Sequence, residues 1–473
     1  METLMDPMSS RTASTGPKIT AWAHSALGEN PLPSWWTEGR AAAWKQFQDL
    51  PMPKRKDEDW RFANVHGLQL EGFSAATPPG DKDRAMALEQ SRPAFPTAVR
   101  AVFANDHVVE FPALPEALKK QGVVWETLET AVRQHAGLIQ EHFMAAESEL
   151  GSAKFAALHR AWCRAGSVLI IPKNVHIELP IAAYHWLAGA GEAVFPHTLI
   201  VAGENSSATF VDFFGSLTPT RGFACGVKDM ILAPGAKVDY LSIQEWDESV
   251  TALHLNSVNV ARDASGKYLN VHLGGGLVRA ESHSRLTGTG SRSDMLGISV
   301  CHGRQEIDLR TLQTHAVGHS TSDLLYKNTL NHRSRAIFQG LIRVDPGASQ
   351  TDAYQTNRNL LLDPEAEADS MPGLEILNDD VKCSHGATTG QIDAEELFYM
   401  RSRGIPTDLA GHLIALGFFQ EVLDRFGHEA VIDHVARRIE AKFVRSAAVH
   451  LGAAAAESID PTQVRELQGT ESP

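Results

Sequence analysis

From about Gly166 to about Gly390 the apolar residues come in short runs, alternating with polar ones or unbroken for a few positions. SVLIIP, HIELPI, HTLIVA, ATFVDFF, KVDYLSI, KYLNVHL, EIDLRTL and AIFQGLIRV are examples. Side chains on an extended strand point alternately to opposite faces, so such runs predict strands buried on one face or both. Gly, Asn, Asp and Pro punctuate them, as at Pro234-Gly235, Ser265-Gly266 and Pro346-Gly347, and no convincing helical period interrupts the region. A small or polar pair repeatedly leads into an alternating strand: SSATFVDF from Ser206, GAKVDYLS from Gly235, SGKYLNVH from Ser265, SRSDMLGI from Ser291 and SRAIFQGL from Ser334. Most of these starts are about 26–30 residues apart, the length of one turn in a stacked solenoid. The pattern predicts a mainly β protein whose core, residues 166–390, is a β-solenoid of the parallel β-helix kind. A sandwich or barrel is the alternative.

On either side the period changes from two to about 3.6. In PSWWTEGRAAAWKQFQDL, Trp36, Ala43, Trp44 and Phe47 fall on one helical face, predicting core rather than a cofactor box. PKRKDEDWRF, Pro53 to Phe62, mixes both charges with two aromatics and reads as a solvated turn anchored by Trp60 and Phe62. Residues 18–165 are accordingly expected to form a mostly helical N-terminal domain, after a Ser-, Thr- and Pro-rich flexible tail at 1–17. Beyond Gln391, Asp393 stands three residues before Glu396 at the spacing of a capping box. A second helix carries Leu409, Leu413, Leu416, Phe419 and Leu423, and a third Val431, Ile432, Val435, Ile439 and Phe443. These predict a C-terminal helical domain over 391–455, with a frayed tail at 456–473.

Composition narrows the function. The 473 residues carry a formal net charge of -14, and no Lys/Arg cluster exceeds the run Lys54, Arg55, Lys56, which argues against a general nucleic-acid surface. METLMDPMSS has acidic residues where a signal peptide needs basic ones, and no apolar run approaches the roughly 20 residues of a membrane span. Cys163, Cys225, Cys301 and Cys383 are far apart, so no disulfide scaffold or zinc ribbon is indicated and a cytoplasmic location is expected. There is no P-loop, no complete dinucleotide fingerprint at the glycines near Gly274 and Gly288, and no HExxH or GxSxG motif.

Two groups of residues remain as candidate chemistry. The strand region is rich in histidine, with His272, His283, His302, His315, His319, His332 and His385, most of them expected at hydrophilic outward positions. In DDVKCSHGATTGQID, Cys383 and His385 are two apart, so on a strand a thiol and an imidazole share a face. Either they form part of a metal site or they are a buried cysteine beside a surface histidine. Asp369, Asp379 and Asp380 lie just upstream as further carboxylates.

The stretch from Tyr326 to Ile405, including AIFQGLIRVDPGASQTDAYQTNRNLLL and NDDVKCSHGATTGQIDAEELFYMRSRGI, resembles the signature region of the SufB/SufD family of iron–sulfur cluster assembly proteins. PKRKDEDWRF resembles that family's N-terminal motif and GFFQEVLDRF, Gly417 to Phe426, its C-terminal helix. At His385-Gly386 the chain has glycine where the SufB branch typically carries a His-Glu pair. The resemblance implies a right-handed parallel β-helix between two helical domains, acting as a non-catalytic scaffold. It also implies pairing with a SufB-like subunit, a homodimer being the form without one, and docking of a SufC-like ATPase on the helix bearing Phe418, Phe419, Val422 and Leu423. His385 matches the family's functional histidine at the interface, with Cys383 beside it, where an iron–sulfur cluster forms transiently. The family also implies a reduced flavin, for which the sequence holds no fingerprint; no tightly bound cofactor is expected in the chain alone.

Overall fold

The computed structural model describes residues 32–451; the expected tails at 1–17 and 456–473 lie outside the described residues. The N-terminal region contains helices α1 (Ser34–Asp49), α2 (Asp81–Gln90), α3 (Glu116–Lys120), α4 (Leu128–Gln134), α5 (Ala136–His142) and α6 (Ala153–Trp162). It also contains the short strands β1 (Ser74–Ala75), β2 (Val99–Ala104), β3 (His107–Glu110) and β4 (Val124–Thr127), so it is mixed α/β where mostly helix was expected. These strands add to the solenoid's sheets. β2 runs parallel to β6 (Ile181–Leu187) and β4 antiparallel to β5 (Gly166–Ile171).

The solenoid itself alternates strands between two parallel sheets. One contains β5, β8 (His197–Ala202), β10 (Gly222–Leu232), β12 (Val250–Val260), β14 (Leu277–Leu286), β16 (Glu306–His315), β18 (Arg335–Val344) and β20 (Glu367–Ile376). The short β7 (Glu192–Val194) pairs with β10. The other contains β6, β9 (Ser207–Ser216), β11 (Lys237–Glu245), β13 (Ser265–His272), β15 (Arg292–Cys301), β17 (Thr321–Leu330), β19 (Thr351–Leu361) and β21 (Val381–Gln391). Lys237, Ser265, Arg292, Thr321 and Asp352 stack in register, so the period read from sequence is the solenoid's turn. The repeat beginning at Ser334 is out of phase with the other four. It opens β18 in one sheet, whereas they open β9, β11, β13 and β15 in the other.

At the same corner of seven successive turns the chain passes through left-handed backbone, at Asn174, Asn205, Gly235, Asp263, Gly290, His319 and Gln350. The amide of each donates to a carbonyl of the next turn, as Asn205 does to Pro234 at 3.0 Å and Asp263 to Thr289 at 3.0 Å. Asn, Asp and Gly tolerate this conformation best, which is why those residues punctuate the sequence at that interval.

Among the described residues three large apolar cores follow, with a fourth small one near the C-terminal end of the coil. Ile200, Phe210, Ala224, Met230, Val238 and Phe338 are among those filling the interior of the coil. Trp36, Trp44, Phe47, Phe155 and Trp162 pack with Leu199, Phe223 and Leu253 on the outer face of the first sheet. The C-terminal helices α8 (Thr407–Phe426) and α9 (Glu429–Leu451) cover the outer face of the second, at Leu241, Ile243, Leu269, Leu296 and Ile298. With both faces covered, most strand positions are buried. His272, His283, His302 and His315 are therefore buried, against the expectation of outward positions. Three of them are accommodated by polar partners: His283 meets Thr314 at 3.0 Å, His315 meets Ser320 and Ser322 at 2.7 and 2.8 Å, and His302 meets Glu248 at 2.8 Å, whereas neither ring nitrogen of His272 has a hydrogen-bond partner among the described residues.

The charged turn around Trp60 fastens the N-terminal region to the coil. The Arg279 guanidinium lies 3.7 Å over the Trp60 ring and donates to the carbonyls of Asp59 and Leu150. On its other side it pairs with Glu281 and Asp308, at 2.7 and 2.5 Å.

Candidate functional site

Both sheets run out at the C-terminal end of the coil, where β20 and β21 each have one hydrogen-bonded neighbour. β21 pairs with β19, with Cys383 opposite Ala353, His385 opposite Gln355 and Thr389 opposite Asn359. Ala353, Gln355 and Asn359 are buried, so Cys383 and His385 share the face that continues the coil's interior. The same-face reading from spacing is what β21 has.

Position on a terminal strand gives the two residues different surroundings. Cys383 is half-buried against the small cluster of Ile342, Val344, Ala348 and Ala353. Burial, followed by the Asp352 carboxylate nearby, pushes its thiol up from the ordinary range, so in the free chain the sulfur keeps its proton. An incoming metal ion would have to displace that proton. His385 is exposed.

Beneath them the interior is polar. Asn359 donates to Asn357 at 3.0 Å, to Ser370 at 3.1 Å and to Thr389 at 3.1 Å, and accepts from Asn328 at 2.8 Å. Gln355, opposite His385, donates to the carbonyls of Gly340 and Gly373. These amides close the coil with groups that match an aqueous or ionic neighbour.

The upstream carboxylates do not complete the site. Asp369 is held by Arg335 through two contacts, at 3.1 and 2.5 Å. Among the described residues no third His, Cys, Asp or Glu donor joins Cys383 and His385 closely enough to share an ion. The described residues that do come together in such a set are His159, Cys163 and His197, at the opposite end of the coil, which sequence reading did not single out.

Around the terminal strands several large apolar side chains are exposed among polar ones. Tyr354, Leu374, Ile376 and Leu377 are exposed, as are Phe398 and Tyr399 on the short helix α7 (Ala394–Ser402), which Asp393 caps by accepting from Glu395 at 2.7 Å. On α8, Phe419, Val422 and Leu423 are buried against the second sheet. Phe418 is partly buried, with the Lys327 ammonium 4.9 Å from its ring centroid and 2.7 Å from its carbonyl oxygen. The helical stripe is thus real, and three of its four side chains already face the coil.

Comparison with known proteins identifies two matching regions. The model described as SUF system FeS cluster assembly, SufBD core domain, matches residues 185–418, and that of the SufBD protein N-terminal region matches 27–183. The iron–sulfur cluster assembly protein SufD of Escherichia coli is 30% identical over 403 residues, covering 84% of this chain and 90% of its own. SufD of Bacillus subtilis is 29% identical over 418 residues, 87% of this chain and 94% of its own. SufB of Bacillus subtilis is 23% identical over 406 residues, with 82% and 85% covered.

Proposed function

Since the chain belongs to the SufBD family of iron–sulfur cluster assembly proteins, we propose that it is the SufD-type, non-catalytic scaffold of a cytoplasmic assembly complex. In this reading a SufB-like subunit takes the open end of the coil, and the nascent cluster is cargo held between the two chains. His385 offers an imidazole and Cys383 a thiolate once its proton is displaced, both suited to iron. The remaining ligands come from the partner. Without that subunit, a second copy of this chain takes the same edge. A SufC-like ATPase docks on the C-terminal helices, where α7 offers exposed Phe398 and Tyr399.

The observation that carries the proposal is an incomplete donor pair on an edge strand whose outer side has no strand partner among the described residues, bordered by exposed apolar side chains. Unpaired backbone and exposed apolar surface together mark an association site. The reading predicts that His385→Ala leaves the fold and assembly with SufB- and SufC-like partners intact while lowering the iron and sulfide recovered per complex. Size-exclusion chromatography with iron and acid-labile sulfide assays on the co-expressed complex tests this. Intact assembly with unchanged cluster content would remove His385 from the site.

A further inference from the structure

The N-terminal end of the coil holds a second constellation, unrelated to the open edge. His159 on α6 and Cys163 at its C-terminal cap are four residues apart and so share a helix face. Across from them His197 opens β8, on the outer face of the first sheet. One donor atom from each lies within 4.8 Å of the others, and all three residues are buried. The closest pair, His159 Nε2 and His197 Nδ1, is 3.1 Å apart. Two imidazoles bound to one tetrahedral zinc ion at ~2.0–2.1 Å stand about 3.4 Å apart, so these two are nearly at ligand spacing.

What lies behind each ring points the same way. His159 Nδ1 is 2.7 Å from the Cys225 carbonyl oxygen, which can only accept, so the proton sits on Nδ1 and Nε2 is left with a bare lone pair. His197 has its other nitrogen, Nε2, 3.6 Å from Asp229 Oδ2. Asp229 is itself fixed by the Met144 amide at 2.8 Å and the Ser257 hydroxyl at 2.7 Å. A neutral His197 has one proton for two neighbours. Placed on Nδ1 it satisfies His159 and leaves Nε2 facing a carboxylate, and Nε2 has no hydrogen-bond partner. Placed on Nε2 it turns toward Asp229 and leaves two bare lone pairs facing each other. A cation between the rings resolves the conflict: both inner nitrogens become ligands, while the Cys225 carbonyl holds the outer nitrogen of His159 and the Asp229 carboxylate faces that of His197 at 3.6 Å, the kind of support metal-bound histidines have.

We infer that His159, Cys163 and His197 form a resident transition-metal site, of the two-imidazole, one-thiolate class that suits Zn²⁺, pinning α6 to the first turns of the coil. Cys163 also lines a cleft of about 280 Å³ shared with Arg40, Asp106 and Arg164, which reaches the thiol's side of the group and is lined by neither His159 nor His197. The site is distinct from the place proposed for the cluster. β8 and β20 are six strands apart in one sheet, roughly 30 Å at ~4.8 Å per strand.

The test uses the full chain, stripped with chelator and titrated with Co²⁺, followed by the visible bands of a tetrahedral ion and the near-ultraviolet thiolate-to-cobalt band. Metal analysis of the protein as purified accompanies it. The expected result is stoichiometric zinc as purified and a thiolate band that Cys383→Ser retains and Cys163→Ser loses. Asp229→Asn should weaken Co²⁺ binding by about tenfold to a hundredfold while keeping the band. If Cys163→Ser does not fold, His197→Gln, which removes an inner nitrogen and keeps the thiol, should lose tight binding. A protein that carries no zinc and gives no thiolate band, or a band that survives Cys163→Ser, overturns the assignment and leaves a buried cysteine beside a hydrogen-bonded histidine pair.

Discussion

At Arg279 one guanidinium joins two parts of the molecule, stacked on Trp60 and paired with Glu281 and Asp308, all buried. Burial works against every charge in this group. For Arg279 it opposes ionisation but is outweighed by Asp308 and Glu281, whereas for Glu281 burial prevails and its carboxyl sits above the usual range. Removing the cation leaves Glu281 buried without an ion-pair partner, while Asp308 keeps Arg310 at 2.5 Å, so Arg279→Ala is expected to cost about 3 kcal/mol, measurable as a lower urea midpoint. A loss under about 1 kcal/mol would mean that water relieves these charges. Sequence anticipated half of this. Trp60 was legible as an anchor in PKRKDEDWRF, but the arginine over it comes from a strand more than two hundred residues later, and no local pattern announces such a pairing. His159 and Cys163 were legible in the same limited sense: their four-residue spacing marks a shared face, and His197 and Asp229 arrive only with the fold.

Elements of this coil are set by where backbones touch. Gly288 follows β14, and a Cβ there would fall 2.0 Å from the Arg262 amide nitrogen of the preceding turn. Gly276 would meet the Glu248 carbonyl oxygen equally closely. These are the glycine clusters that resemble fragments of a dinucleotide fingerprint, and their use is to let successive turns close. Backbone cannot move aside as a flexible side chain can, so Gly288→Ala is expected to destabilise by about 3 kcal/mol, at the upper end for overpacking. Thermal unfolding followed by circular dichroism would register this, and an unchanged midpoint would show that the corner is loose. The turn period was legible because most of the left-handed corners carry Asn, Asp or Gly at regular intervals, His319 and Gln350 being the two that do not. The phase was not, since strands of both sheets begin with similar small and polar residues, and Ser334 was grouped with the wrong sheet for that reason.

Taken whole, the protein buries polar groups beneath outer layers, and acid should find them. Burial holds His254, His283, His315 and His434 at about 4 and His272 at about 3, below the ordinary ~6.5. Their folded values are lower than their unfolded ones, so as pH falls the unfolded chain takes up protons first. The stability at stake is complete above about pH 6.5 and is lost toward pH 4, at up to about 1.4 kcal/mol per pH unit for each histidine. Asp106, pushed up by burial to about 7, Asp229, to about 6, and Glu281, Glu306 and Asp323, also raised by burial, act in the opposite sense and offset part of this loss. Urea midpoints should therefore fall steeply between about pH 6.5 and pH 5, above the usual carboxylate range, and a flat profile would reject this balance. The layering behind it was only partly legible. Each helix showed an apolar stripe, yet the stripe does not say what it covers, so Phe419, Val422 and Leu423 read as available for a partner while the second sheet already holds them. That arrangement has a consequence for synthesis. When Gln391 has been added, the coil is complete but the flank bearing Leu241, Leu269 and Ile298 is bare, because α8 and α9, which cover it, follow β21 in the chain. At about 5–20 residues per second the roughly 50 residues to Phe443 take about 3–10 s. For those seconds the nascent chain is a finished spring with one greasy side, the stage at which a holdase would find it.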